Sequence, residues 1–270
     1  MEAVLVKFGG SLITDKTREA VPRVDVIERL AQEVRDALDA KPDMRLVLGH
    51  GSGSFGHFAA RRYGVHAGLA GQPDWIGLAQ TSAAAARLNR LVADACLQAG
   101  VPAISFQPSA SARREHGALS WMAAEPIAEA LAHGLVPLVY GDVAFDADQG
   151  TAIISTEDIF LYLAHGIAPS RVLMLGVVDG IYDADPLRHP DSRRIAVITP
   201  ETIQRIRAGL GGSHGIDVTG GMLGKVSTLL PLLQRHPGVE VHFFSGEIPG
   251  RLRDALLGGG EPFGTVLRVG

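Results

Sequence analysis

Val4-Leu5-Val6-Lys7-Phe8-Gly9-Gly10-Ser11 decides the architecture of this 270-residue chain. A short aliphatic run that closes on a lysine and opens into two glycines reads as a buried strand emptying into a tight turn. The habit recurs: Arg45-Leu46-Val47-Leu48 leads into a long glycine cluster, and Val172-Leu173-Met174-Leu175 leads into Gly176. Further strands are expected over 101–106, 136–140 and 241–244. Helical patterns lie between them. Val24, Ile27, Leu30, Val34 and Leu38 recur at helical spacing, an alanine-rich helix is expected over 76–98, and another over 125–133 ends at Gly134. Thr156-Glu157-Asp158 opens a helix that runs to Gly166, and one more continues from Met222 through Leu233. Strands alternating with helices predict an α/β fold, a three-layer αβα sandwich around a mostly parallel central sheet. No repeat, low-complexity tract or linker divides the chain, so two lobes, 1–167 and 168–270, are expected to share one continuous sheet.

Composition narrows the function. Hydrophobic residues at 46% and charged residues at 20% are those of a globular protein with room for a cleft. The net charge of -4 offers no concentrated positive surface for nucleic acid, and Arg61-Arg62 and Arg193-Arg194 are only short basic pairs. The single cysteine, Cys96, excludes an intrachain disulfide framework and sits among Leu91, Val92, Ala95 and Leu97 as a buried structural thiol. The N-terminal run reads as a first strand and not a leader, and no apolar stretch is long enough to span a bilayer, so a cytoplasmic protein with no membrane partner is expected.

Three separated motifs point to phosphoryl transfer: Lys7 with Gly9, Gly10 and Ser11; the cluster Gly49 to His57; and Gly220-Gly221-Met222-Leu223-Gly224-Lys225. Glycines let backbone N–H groups approach phosphate oxygens, lysines offset the charge of the transferring group, and helices beginning after the glycines add their positive ends. Lys7, Lys16 and Lys225 are the candidate cations. Gly51, Ser52, Gly53 and Gly56 form the candidate loop, Ser11 reads first as a cap, and Ser52 and Ser54 as loop hydrogen-bonders. His57 is suited to donate to a bound phosphate, whereas His50 reads as a solvent-facing cap. The spacing of Gly51, Gly53 and Gly56 also fits a dinucleotide loop, which leaves a hydride-transfer enzyme as an alternative, although no acidic ribose clamp follows. The cluster lacks the Gly-Lys-Ser/Thr ending of a nucleotide P-loop. Asp158 is the acidic candidate to organise the lysines, with Glu157 or Thr156 as a plain cap. Asp142 and Asp146 at a strand end are turn formers or positioners of magnesium-bound water. Asp179-Gly180-Ile181-Tyr182, running on to Pro186, is a loop suited to a nucleotide. The scattered histidines give no zinc spacing, so no protein-built metal site is expected and Mg2+ would arrive on ATP.

Taken together, Val6-Lys7-Phe8-Gly9-Gly10-Ser11 with Lys16, the Gly51-to-His57 loop, Tyr140-Gly141-Asp142, Ile154-Ser155-Thr156-Glu157-Asp158, Val178-Asp179-Gly180-Ile181-Tyr182 and Asp217-Val218-Thr219-Gly220-Gly221-Met222 with Lys225 resemble the amino acid kinase superfamily, and within it the isopentenyl phosphate kinase family. The resemblance runs over nearly the whole chain. It implies an N-terminal lobe for a phosphorylated acceptor, at Gly9, Gly10, Gly51, Ser52, Gly53, Gly56, His57, Tyr140 and Gly141. It implies a C-terminal lobe for ATP, at Gly176, Asp179, Gly180, Tyr182, Gly220, Gly221 and Lys225, with Lys7 and Lys16 between the two. The implied partners are an isoprenoid monophosphate, ATP and a second copy in a homodimer. Phe58, Tyr63, Trp75, Ile76, Leu78 and Ala83 are expected to line the isoprenoid slot. A fosfomycin kinase using the same phosphate machinery, another small-molecule kinase of the same superfamily acting on a small carboxylate or nucleotide, or a nucleotide sensor without turnover, are the alternatives.

Overall fold

The computed structural model describes residues 2–65, 75–183, 189, 191–203, 220–258 and 263–269. Its strands in chain order are β1 Ala3–Phe8, β2 Arg45–His50, β3 Ala103–Ser105, β4 Arg113–Glu115, β5 Ala118–Trp121, β6 Val136–Tyr140 and β7 Asp142–Asp146. They continue with β8 Gly150–Ile154, β9 Arg171–Gly176, β10 Ile181–Tyr182, β11 Arg194–Ile195, β12 Val197–Ile198, β13 Glu240–Ser245 and β14 Thr265–Leu267. The helices are α1 Gly10–Ile13, α2 Val24–Ala40, α3 Gly53–Arg62, α4 Trp75–Gln98, α5 Glu125–Ala132, α6 Thr156–Ile167, α7 Gly220–Arg235 and α8 Arg251–Leu257.

Eight strands form the central sheet in the order β12-β14-β13-β9-β1-β2-β6-β3. Every described pair is parallel except β13 with β14. Parallel strands buried on both faces read as unbroken apolar runs, and β1 is buried at all six positions. Its parity sorts the layers. Val4, Val6 and Phe8 pack with α2, α4 and α8, whereas Ala3 and Leu5 pack with α5, α6 and α7. Lys7 follows the second parity and so points toward α6. The chain leaves β1 toward β2 on one side and is met by β9 on the other, which opens a crevice beyond the carboxyl ends of these three strands.

A second sheet, β5-β4-β7-β8, was not foreseen; the 142–154 stretch reads as strand end and turns from sequence alone, yet folds as an antiparallel hairpin. Asp146 closes its turn, accepting from the N–H groups of Asp148 and Gln149, and faces Arg114 at 3.6 Å. A role for Asp146 beside magnesium-bound water is therefore replaced by a turn-forming one. Cys96 is fully buried, and burial pushes its thiol up to about 12, as a structural cysteine requires.

Candidate active site

Three chain segments converge at the crevice. β1 delivers Lys7, with 6% of its surface exposed, and then turns through Gly9 into α1. β2 delivers His50 and turns through Gly51 and Ser52 into α3. The two turns touch: a Cβ on Gly10 would lie 2.6 Å from the Gly53 nitrogen, and one on Gly51 would lie 3.0 Å from the Gly10 nitrogen. Gly53 in addition holds φ +53, a conformation open mainly to glycine. Thr14 ties the pair together, donating to the Gly10 carbonyl at 2.6 Å and accepting from the Ser54 N–H at 2.9 Å. Among the described residues no acceptor meets the N–H groups of Gly10, Ser11, Ser52 or Gly53. They face a cleft of about 450 Å³ that Lys7, Lys16, Lys225, His57 and Arg61 also line. Backbone donors and cations gathered on one space form an anion site.

The electrostatics run through Glu157. Its carboxylate, 3% exposed, takes the Lys7 ammonium at 2.5 Å. Burial pushes Glu157 up, but attraction and the hydrogen bond from Lys7, with Lys225 behind it, hold it below the ordinary carboxylate value. Lys225 shows the converse. Burial, then the Lys7 charge, with Lys16 adding to them, lower its pKa against the pull of Glu157. The three lysines thus share one field, with Glu157 as the buried carboxylate among them within the described residues.

That carboxylate was expected to be Asp158, and the structure exchanges the two. Asp158 closes the capping box of α6: Ser155 N–H donates to it at 2.9 Å while its own N–H donates to the Ser155 hydroxyl at 3.1 Å. Its remaining neighbour is Arg114 at 3.6 Å. With Ser155 as N-cap, Glu157 falls on the face of α6 turned to β1, and Asp158 on the face turned to the small sheet.

Several residues expected to meet an acceptor are placed differently from that expectation. His57 Nδ1 lies 3.0 Å from the Gly53 carbonyl, which leaves Nε2 directed away from the helix backbone. Beside it a second cavity of about 320 Å³ opens between α3, α4 and β8, walled by Ala60, Thr81, Ala85, Gly141 and Ile153. Of the aromatic and aliphatic residues expected there, Trp75 and Ile76 are 49% and 67% exposed, Ala83 is exposed, and Phe58 lines the lysine cleft instead. Tyr63 and Leu78 pack behind the wall with Ala60 and Val143. Asp142 is buried at the cavity edge, where its carboxylate accepts from the Ser109 N–H at 3.1 Å; burial, opposed by its hydrogen bonds, raises its pKa. Gly56 lines this cavity, and Gly9 serves packing, its N–H donating to the Leu175 carbonyl at 2.8 Å. Tyr140 does not reach the cleft. It is 1% exposed and stacks on the His50 ring, which is itself buried and not the solvent-facing cap expected.

On the other side, Gly220 and Gly221 open α7, which carries Lys225 into the cleft. Asp179 and Tyr182 bond to each other at 2.5 Å, and Arg194 lies 3.5 Å from Asp179, while Gly180 has Arg194 and Thr265 packed where a side chain would go. Gly176, Asp179, Gly180 and Tyr182 do not line the lysine cleft. The Asp217-Val218-Thr219 segment and residues 184–188 lie outside the described residues. Arg61 was missed from sequence as one half of a basic pair. One helical turn beyond His57 it lines both cavities, and the i, i+4 spacing from His57 is the signal that finds it.

Comparison with known proteins shows the family. Residues 2–245 match the amino acid kinase family. The isopentenyl phosphate kinase of Methanothermobacter thermautotrophicus is 37% identical over 94% of this chain and 95% of its own length. That of Haloferax volcanii is 35% identical over 99% of both. A solved isopentenyl phosphate kinase structure superposes with a TM-score of 0.83 at 34% identity, covering 98% of this chain and 100% of that one. The chain belongs to the amino acid kinase family and groups with its isopentenyl phosphate kinases.

Proposed function

We propose that the protein transfers the terminal phosphoryl group of ATP to isopentenyl phosphate, giving ADP and isopentenyl diphosphate. One observation carries the reading: a cleft of lysines and unbonded backbone N–H groups opens at His57 into a largely apolar cavity of about 320 Å³. An acceptor with a phosphate head and a small hydrocarbon tail matches that pairing. The N-terminal lobe, 1–167, holds the acceptor and the C-terminal lobe, 168–270, holds ATP, with Gly176, Gly220 and Gly221 on the nucleotide side. Asp179, Gly180 and Tyr182 shape the loop that borders it.

An acceptor phosphate oxygen attacks the terminal phosphorus of ATP, and the bond to the ADP oxygen breaks; no phosphoenzyme forms. Gly10, Ser11, Ser52 and Gly53 donate N–H groups to phosphate oxygens. Lys7 and Lys16 sit where donor and acceptor meet, and Lys225 serves the ATP phosphates. Glu157 keeps the Lys7 ammonium aimed. With His57 Nδ1 turned to the Gly53 carbonyl, the ring meets the acceptor phosphate through Nε2. Arg61 adds a cation at the acceptor. Mg2+ is carried by the ATP phosphates; no group of three or more acidic, histidine or cysteine side chains among the described residues is placed to hold a metal. No described helix is long and apolar enough to cross a membrane. A homodimer is the expected working form, on family resemblance, and the cytoplasm its expected compartment.

The test is product identification after incubation with Mg-ATP and a panel of isopentenyl phosphate, fosfomycin, glutamate, carbamate and uridine monophosphate. Fastest turnover on isopentenyl phosphate is expected. Preference for fosfomycin would move the acceptor class, and nucleotide binding without transfer to any member would make the protein a sensor.

A further inference from the structure

His50 stands at the end of β2, inside the phosphate loop yet with no exposure to the cleft, and the reaction as described makes no use of it. Its surroundings are specific. The Asn89 amide, itself buried in α4, lies with Nδ2 3.2 Å from His50 Nε2. His50 Nδ1 lies 3.0 Å from the Gly51 carbonyl. Tyr140 stacks on the ring at 5.5 Å and 6°. The His50 carbonyl accepts from Thr156 Oγ1 at 2.7 Å and from the Gly141 N–H at 3.0 Å. An amide NH2 can only donate, so Asn89 requires a bare Nε2, and the proton is then on Nδ1. Burial, with the Lys7 charge adding to it against the Gly51 hydrogen bond, pushes the imidazole down to about 4, which keeps this neutral form at working pH.

The consequence lies in the next peptide unit. The amide between Gly51 and Ser52 is planar and trans, so a carbonyl held toward His50 turns the Ser52 N–H to the opposite side. That N–H has no acceptor among the described residues, and Gly141 leaves the space before it open: a Cβ there would lie 3.6 Å from the Ser52 nitrogen.

We propose that the Asn89-His50 pair is a positioning device: Asn89 fixes the Nδ1–H tautomer of His50, which holds the Gly51 carbonyl and so aims the Ser52 N–H at the phosphate. The inference rests on the kinase reading above. His50 and Asn89 touch no substrate; they act through the loop.

Variants separate this from plain packing. In His50→Asn the side-chain amide nitrogen falls near the place of Nδ1 and can still donate to Gly51, whereas His50→Leu fills space without a donor. Acceptor kcat/KM is expected to fall about 100-fold in His50→Leu, the scale of a misplaced reacting group, with the KM for ATP unchanged, and to recover most of that loss in His50→Asn. Asn89→Leu, which leaves the ring in place, is expected to lower the same parameter less. The independent readout is nitrogen NMR of the imidazole in the unliganded protein: one neutral Nδ1–H tautomer is expected, with the Nε2–H form appearing in Asn89→Leu. Equal losses in His50→Leu and His50→Asn, or losses that follow melting temperature across all three variants, would overturn the proposal and leave the kinase reading standing. So would an Nε2–H tautomer in the unaltered protein. If the unaltered protein has no kinase activity, the NMR result and the binding of inorganic pyrophosphate to the same variants still decide whether the pair aims the loop.

Discussion

Glu157→Gln keeps shape and removes charge, which makes it the sharpest probe of the site's electrostatics. The Lys7 and Glu157 side chains are 8% and 4% exposed and 2.5 Å apart, and Lys7 and Lys16 both repel Lys225. Removing the carboxylate leaves an ammonium buried among like charges. Breaking one partner of a buried pair costs about 3–5 kcal/mol, because the surviving charge is stranded. In a domain of this size that is a fall in melting temperature of roughly 6–20 °C. Phosphate ligands supply the missing negative charge, so saturating Mg-ATP should restore more stability to Glu157→Gln than to the unaltered protein. The sign with pH follows from the lowered pKa: the pair's contribution is complete above the ordinary value of 4.5 and disappears as pH falls through the lower folded value. Denaturant melts of both proteins from pH 7 to pH 3, with and without Mg-ATP, should converge at the acid end. A Glu157→Gln protein as stable as its parent at pH 7, paired with a strongly destabilised lysine cluster in Asp158→Asn, would refute the assignment of the organising carboxylate. Asp158→Asn keeps a side-chain oxygen for the Ser155 N–H and should instead cost about 1 kcal/mol, the scale of one weakened hydrogen bond in the capping box.

His57→Ala should reduce turnover by an amount equal to about 1.5–3 kcal/mol of lost charge-assisted bonding while leaving ATP affinity in place; steady-state kinetics with each substrate varied in turn decides it. Lys225→Met removes a charge that the empty protein holds at a cost, so unliganded stability should hold or rise while the KM for ATP climbs and kcat falls by at least tenfold; a stability loss with normal turnover in the folded fraction would make the lysine structural. Ala85→Leu should fill part of the cavity beside His57 and raise the KM for isopentenyl phosphate about tenfold with ATP binding unchanged, and equal weakening of both substrates in isothermal titration would put the tail elsewhere.

How far the sequence could be read depended on whether a local pattern carried its own phase. β1, β2, β6, β9 and β13 announced themselves because buried parallel strands have no polar face to interrupt them, and each ran into a glycine or turn residue. The α4 helix was equally visible in extent but not in orientation. Its alanines give almost no amphipathic contrast, so nothing local says that Thr81, Ala84, Ala85 and Leu88 face inward while Trp75, Ile76 and Ala83 face out. The slot was expected mainly from large side chains, whereas the cavity beside His57 is lined on the inner face of α4 by the small residues Thr81 and Ala85, where bulk would have closed it. The hairpin of β7 and β8 was lost for a related reason: its acidic residues, read one at a time, are turn formers, and only the apolar runs on either side of the turn, Val143 and Ala144 facing Ile153 and Ala152, mark paired strands.

The carboxylate at α6 is the instructive case, because the information was present and a different rule governed it. Two adjacent acids at a helix start lie about 100° apart around the axis, so at most one can meet the strand that carries Lys7. Ser155-Thr156-Glu157-Asp158 has the spacing of a capping box, which commits its fourth residue to the backbone of the first. That commitment removes Asp158 from the lysines and, by the helix's own rotation, delivers Glu157 to them. The parity of β1 then completes the geometry, since Lys7 shares a face with Leu5 and Leu5 packs on α6. Two local rules with different periods, one helical and one extended, thus intersect at a single ion pair buried between distant parts of the chain. The lysines' chemistry could be inferred from residue type alone, but the choice of partner required the phase of both elements at once.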